Sequence, residues 1–241
     1  GGPEITQDNA WVLKRPELDY AVVGEGEQTF AELLASLRHA SAPSGPIPGL
    51  AVLPDGGPVA FRRPLRELDA ISSPYLEGIL DAADEKLLLL ETVRGCRFRC
   101  KFCYYPKSYD ALYLLSNEKI AANLQHAAQR GAKEVFLLDP TLNQRRDFAD
   151  FLRLLARGNP DHQFTYSAEL RSEGIGVEEA QLLREANFAE VEIGLQSLNP
   201  QAQSLMGRKV NRKAFERGAR AMIDAGIKVR VDLILGLPGD T

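Results

Sequence analysis

From Leu87 onward the chain alternates short apolar runs with segments whose apolar residues recur at helical spacing. The runs are Leu87–Val93, Glu134–Leu138, Phe164–Ala168, Glu190–Leu195 and Ile227–Leu235, each of strand length. Between them, Ile120, Leu124, Ala127 and Ala128 share a helix face, with Ser116 as N-cap and Gly131 past the end. Phe148, Phe151, Leu152 and Leu155 mark a second helix closed by Gly158. A third runs from near Val177 to Ala186, and Phe215, Ala219, Met222 and Ile223 mark a fourth between Asn211 and Gly226. Strand–helix alternation with short connections predicts a parallel sheet with right-handed crossovers. The expected fold is α/β, a partial (β/α) barrel with its chemistry at the C-terminal ends of the strands. A doubly wound nucleotide-binding sheet is the alternative, but no Gly-x-Gly-x-x-Gly follows a strand, and Gly24-Glu25-Gly26 lacks the third glycine.

Upstream the pattern differs. Asp19–Val23 reads as a short buried strand, and Phe30, Leu33, Leu34 and Leu37 predict a helix from Glu27 to near Arg38. Ser41 to Pro48 has linker composition. Leu50–Leu53 and Pro58–Phe61 flank Pro54-Asp55-Gly56-Gly57 and predict a hairpin, with Arg62 to Tyr75 an extended connector. The expected organisation is a small remnant α/β segment over 1–40, a linker with a hairpin over 41–85, and the barrel core over 86–241.

At 241 residues, 44% hydrophobic and 26% charged, the chain suits one large domain or a domain plus a small one. No apolar run approaches the ~20 residues of a membrane helix. The opening GGPEITQDNA lacks the basic-then-apolar pattern of a secretory signal. The expected location is the cytoplasm, with no membrane partner. A net charge of −4 and a pI near 5.6 argue against a general nucleic-acid binder, although Arg94, Arg97, Arg99 and Lys101 cluster locally. The sequence has no initiator Met and stops at a turn directly after a strand, so a piece of a longer protein is expected.

The three cysteines all fall in Cys96-Arg97-Phe98-Arg99-Cys100-Lys101-Phe102-Cys103. A disulfide suits neither an odd count nor a cytosolic setting. A structural zinc ion wants four ligands, and His39, His126 and His162 are scattered. A trio of inert buried thiols is the blandest alternative. A 4Fe–4S cluster explains the odd number, because three thiolates leave one iron for a small molecule. The neighbouring cations are expected to lower the thiol pKa values.

Cys-x-x-x-Cys-x-aromatic-Cys in the loop after the first barrel strand resembles the signature of the radical S-adenosylmethionine (SAM) superfamily, over roughly Leu87 to Thr241. The resemblance implies a 4Fe–4S cluster on Cys96, Cys100 and Cys103. It further implies that SAM chelates the open iron and that one electron cleaves the sulfonium to methionine and a 5′-deoxyadenosyl radical. It also implies reduced flavodoxin or ferredoxin as electron donor. Polar residues at later strand ends, Glu169, Gln196, Arg208 and Asp232, are similar to the SAM-contacting set of the oxygen-independent coproporphyrinogen oxidase branch. Phe102 is expected to offer its backbone to the adenine. Taken singly, each has an ordinary solvated loop residue as its alternative; the ordered set after the cysteines carries the resemblance. The family's glycine-rich motif after the second strand is not matched by Leu138-Asp139-Pro140-Thr141-Leu142-Asn143. That stretch looks more like the cobalamin-associated branch and leaves Asp139 as a candidate for the ammonium.

Gly1-Gly2-Pro3-Glu4 and Asp19 to Glu27 resemble the tail of a cobalamin-binding domain, but Asp-x-His-x-x-Gly is absent. Cobalamin is therefore expected in a full-length protein rather than on this chain. The leading expectation is a radical SAM enzyme performing methyl transfer or ring formation on an unknown small molecule or peptide. A tRNA methylthiotransferase is disfavoured, because that family carries three further N-terminal cysteines. A structural metal-binding module or an inactive fragment is the reading from a different class.

Overall fold

The computed structural model describes every residue except 3, 40–42, 44, 54–58, 106–108 and 241. Two compact units divide at Arg66/Glu67. In the first, helix α1 (Ala10–Leu13) precedes strand β1 (Tyr20–Val22), helix α2 (Glu27–His39) and strand β2 (Leu50–Val52). The expected hairpin is corrected here. Leu50–Val52 pairs antiparallel with Tyr20–Val22, Val59–Phe61 forms no strand, and the turn over 54–58 lies outside the described residues. Phe61 is 73% exposed, and the segment keeps one backbone bond beside β2, from Gly49 N to Ala60 O at 2.8 Å. Of the α2 stripe, Leu33 is buried while Phe30 and Leu34 are exposed.

The second unit holds β3 (Leu87–Leu90), β4 (Val93–Arg94), β5 (Tyr113–Leu114), α3 (Asn117–Gln129), β6 (Glu134–Leu137), α4 (Phe148–Gly158), β7 (Thr165–Leu170), α5 (Val177–Glu185), β8 (Phe188–Gln196), α6 (Pro200–Leu205), α7 (Arg212–Asp224) and β9 (Lys228–Leu233). The main sheet is parallel with order β3-β6-β7-β8-β9. Sequential order without reversal is the arrangement of a barrel wall and excludes the doubly wound alternative, which needs a switch point. All five expected strands are present, with β3 ending at Leu90 because Val93–Arg94 leaves to pair with Tyr113–Leu114.

Strand periodicity decides which residues face the helices. Leu88 and Leu90, Val135 and Leu137, Tyr166, Ala168 and Leu170, and Val191 and Ile193 alternate into one core with Leu124, Phe151, Leu152, Leu155, Leu183 and Met222 from the helices. The intervening residues, among them Glu169, Glu192, Gly194 and Gln196, occupy the other face. Ser116 caps α3 by accepting from Lys119 N at 3.2 Å, and Asn211 caps α7 by accepting from Ala214 N at 3.1 Å. The packed face of α7 is Phe215, Gly218 and Met222, whereas Ile223, expected on it, is half-exposed. Gly218 sets that rotation: a Cβ there would stand 1.8 Å from Ser172 O.

Residues 67–85, read from sequence as connector and linker, are fastened within this unit. Tyr75 and Ala82 join the core, and Ser116 N donates to Asp69 Oδ1 at 2.9 Å. Among the described residues no helix is long and apolar enough to cross a membrane.

Candidate cofactor site

The loop after β4 carries the cysteines, and its first turn depends on Gly95. Its φ is +104°, and a Cβ would meet Ala111 O at 2.2 Å, so only glycine fits beside that carbonyl. Cys96 is then held on both sides by Gln144, which is 4% exposed. Arg97 N donates to Gln144 Oε1 at 3.0 Å, and Gln144 Nε2 donates to Gly95 O at 3.0 Å. Cys103 N donates to Cys100 O at 3.1 Å, and Lys101 N donates to Met206 O at 2.8 Å, tying the loop to the turn after α6.

Cys96, Cys100 and Cys103 line one pocket together with Phe102, Glu169, Gln196, Arg208 and Asp232. Every residue of the expected site except Asp139 is therefore brought together. Asp139 is 1% exposed and takes a different role. It accepts from Thr92 N at 2.6 Å, from Val93 N at 2.9 Å and from the Thr92 hydroxyl. The expectation that it meets an ammonium ligand is corrected: its lone pairs are spent on the backbone that launches the cysteine loop. Burial pushes its carboxyl up to about 6, against those bonds and the nearby Arg145, which pull it down.

Gln196 ends β8 at a break in register with β9 and has φ +67°, a conformation a non-glycine residue adopts only when its surroundings hold it. Arg208 Nη2 donates to Gly194 O, and its Nε is buried without a hydrogen-bond partner. Asp232 stands opposite Gly194 in register, and Glu169 opposite Glu192, so three adjacent strands present three carboxylates. Glu169 is raised above the usual range by its recessed position and then by Asp232. Glu192 is pushed up to about 7, chiefly by its hydrogen bond with Asp232, then by burial and the other two carboxylates, against the pull of Arg230.

Sequence reasoning missed Glu192 and Gln144. The first was legible from the two-residue period it shares with Gly194 and Gln196; the second sits in a loop with no periodic signal. Arg171, also unanticipated, lines the pocket with its guanidinium 4.1 Å above the Phe98 ring and ion-paired to Glu173 at 2.8 Å. Asn143 pins its backbone, donating to Arg171 O at 2.7 Å and accepting from Arg171 N at 2.9 Å.

The donor set fits an iron–sulfur cube better than a single ion. Among the described residues no three His, Cys, Asp or Glu side chains are gathered tightly enough for one metal ion, yet the three thiols share a pocket wall. A cube asks for this, because each thiolate binds a different iron. The buried, unpaired Arg208 Nε fits a carboxylate-bearing ligand beside it. The expected lowering of thiol pKa is corrected at Cys96: burial raises it, and the other two thiols raise it further. Neutral thiols of this kind become thiolates on binding iron, with release of protons.

The radical SAM superfamily model matches residues 90–241. The cobalamin-dependent radical SAM methyltransferase TokK of Streptomyces tokunonensis is 31% identical over 153 residues, 58% of this chain and 22% of TokK. A methyltransferase of Pyrococcus horikoshii is 25% identical across 100% of this chain and 54% of its own length. The structure of the radical SAM methyltransferase TsrM of Kitasatospora setae, with tryptophan and a SAM analogue, superposes with a TM-score of 0.73 at 20% identity. That match covers 93% of this chain and 47% of TsrM, and shows a shared fold. The chain thus spans about a fifth to a half of the length of these relatives.

Proposed function

The chain belongs to the radical SAM superfamily, and on that premise we propose that residues 86–241 hold a 4Fe–4S cluster on Cys96, Cys100 and Cys103, bind SAM across the strand ends and cleave it reductively. The observation that carries this reading is the meeting of the three cysteines with Phe102, Glu169, Gln196, Arg208 and Asp232 around one pocket. When bound, the cluster supplies the electron that splits the sulfonium into methionine and a 5′-deoxyadenosyl radical.

The chain's own residues select and orient SAM. Arg208, with a donor to spare, takes the methionyl carboxylate. The carboxylates of Glu169, Glu192 and Asp232 face its ammonium and sulfonium charges, and the proton that Glu192 holds is given up as positive charge arrives. Gln196 bonds the ribose hydroxyls, and the Phe102 backbone meets the adenine. Phe98, Phe102, Tyr105 and Leu170 give the pocket apolar walls, which thin the water around a reactive intermediate.

In the whole protein the reaction we favour is cobalamin-dependent methyl transfer, supported by the activity named for TokK. Ring formation is the second reading, supported by 23% identity across 99% of this chain to an anaerobic magnesium-protoporphyrin monomethyl ester cyclase of Rubrivivax gelatinosus. We assign residues 1–40 to the end of a cobalamin domain and 41–66 to a linker, residues 67–85 being packed into the second unit. A cytoplasmic location and a reduced flavodoxin or ferredoxin partner complete the reading.

The test is anaerobic reconstitution with iron and sulfide, followed by SAM and dithionite and chromatography for 5′-deoxyadenosine. The product is expected from the wild-type chain and not from Cys96→Ala, Cys100→Ala or Cys103→Ala. A loaded cluster that yields no 5′-deoxyadenosine would favour the structural module.

A further inference from the structure

Tyr105 lines the cofactor pocket beside the cysteines, and it is the first of three neighbouring tyrosine rings. Its ring centroid lies 5.2 Å from that of Tyr109, and Tyr109 lies 6.4 Å from Tyr113, both distances of direct aromatic contact. Tyr113 stands on β5 and is buried, so the rings run from the pocket to the short sheet beside the cysteine loop. Each end of the run has a carboxylate at its phenol. The Tyr105 hydroxyl donates to Glu91 Oε1 at 3.5 Å, and the Tyr113 hydroxyl donates to Asp110 Oδ1. Glu91 is ion-paired to Arg94 at 2.7 Å, and Asp110 is exposed. Burial, and after it the charge of Glu91, push the Tyr105 phenol above its usual range, so that its O–H bond is intact at neutral pH. Packing alone would be served as well by phenylalanine; it gives no reason for a phenol with a carboxylate acceptor at both ends.

We propose that Tyr105, Tyr109 and Tyr113 form a relay that quenches the 5′-deoxyadenosyl radical when no substrate is in place and carries the oxidising equivalent away from the cysteines. The proposal rests on the preceding reading, which supplies the radical. Tyr105 breaks its O–H bond and gives the hydrogen atom to the 5′ carbon, which completes 5′-deoxyadenosine and leaves Tyr105 a phenoxyl. Tyr113 then loses one electron to Tyr105 by way of the Tyr109 ring and releases its proton to Asp110, while Tyr105 regains a proton through Glu91. The phenoxyl on Tyr113 takes one electron and one proton from the low-potential donor that also reduces the cluster. At both ends the proton's partner already stands within hydrogen-bond reach. Thiolates oxidise readily, so a hole moved to Tyr113 spares Cys96, Cys100 and Cys103.

The experiment takes the reconstituted chain, reduced and freed of excess dithionite, and mixes it with SAM in deuterium oxide without substrate. Hydroxyl hydrogens exchange with that solvent and carbon-bound ones do not, so mass spectrometry of the 5′-deoxyadenosine shows which kind of bond gave the atom. The wild type is expected to give singly deuterated product and, in rapidly frozen samples, a tyrosyl signal by electron paramagnetic resonance. Tyr105→Phe, with iron and sulfide content unchanged, is expected to lose both. Tyr113→Phe should keep the label and lose the long-lived signal, and Tyr109→Phe should keep the label and delay the signal. Flash oxidation of the cluster-free chain by a photosensitiser is expected to give the same tyrosyl spectrum, absent in Tyr113→Phe. Label retained in Tyr105→Phe would overturn the proposal, as would a tyrosyl spectrum indifferent to Tyr113→Phe or labelled product with no tyrosyl signal in the wild type. A loaded wild-type chain that yields no 5′-deoxyadenosine overturns the preceding reading and this one with it.

Discussion

The side-chain amide of Gln144 brackets Cys96, accepting from Arg97 N and donating to Gly95 O, both at 3.0 Å. One buried amide thereby fixes the peptide groups on both sides of a cluster ligand, across 49 residues of sequence to Gly95. Gln144→Ala leaves a backbone N–H and a C=O without their partner and is expected to cost about 1–3 kcal/mol. Gln144→Glu keeps the acceptor for Arg97 N and loses the donor to Gly95 O. Thermal unfolding should rank wild type above Glu above Ala, and iron retained after brief exposure to air should follow the same order. Equal retention in all three would remove Gln144 from the loop's support.

Asp139 does the same for the strand end that precedes the loop. Asp139→Ala strips the acceptor from the buried Thr92 and Val93 amides and is expected to destabilise by about 2–4 kcal/mol. The acid titrates near 3.8 when unfolded and at about 6 in the fold. Between those values the folded state holds the extra proton, so stability falls as pH rises from about 4 to about 6. Asp139→Asn should flatten that part of the stability–pH curve in denaturant titrations. An unchanged slope would mean that other groups set it.

Gly95→Ala tests the geometry from the backbone side. The added methyl would need Ala111 O to retreat from 2.2 Å, and the positive φ would remain strained. A loss of about 2 kcal/mol or more is expected, with cluster uptake reduced in step. A stable, fully loaded Gly95→Ala chain would show that the loop is not built as described.

Much of this was legible beforehand because the signals were local. Cys96, Cys100 and Cys103 sit within one short loop of the sequence, and Glu169, Gln196 and Asp232 end or punctuate strands whose apolar period is unambiguous. What escaped was set by distant partners. Asn143 and Gln144 read as ordinary loop residues, and Asp139 as a ligand candidate, until Arg171, Gly95 and Thr92 arrive from elsewhere in the chain. Strands of two residues, Val93–Arg94 and Tyr113–Leu114, carry too few positions for a period. Leu50–Val52 found Tyr20–Val22, a partner thirty residues away, rather than its sequence neighbour. Glu192 shares the two-residue period of Gly194 and Gln196, but its electrostatic role shows only beside Glu169 and Asp232.

That trio gives a pH signature. With Glu192 raised to about 7 by Asp232 and burial, raising the pH from 6 to 8 adds negative charge to the face proposed for SAM. Affinity for SAM, a cation at its sulfonium, should rise about 3–10-fold over that range. Glu192→Gln should flatten the dependence, as read by equilibrium dialysis with labelled SAM. Affinity that falls with rising pH would place the sulfonium elsewhere.

The most direct test of the central claim is electron paramagnetic resonance of the anaerobically reconstituted, reduced chain, recorded with and without SAM. The account predicts a reduced 4Fe–4S signal that changes on adding SAM, because three cysteines leave one iron open to it. A signal indifferent to SAM, or tight zinc in place of a cluster, would contradict it.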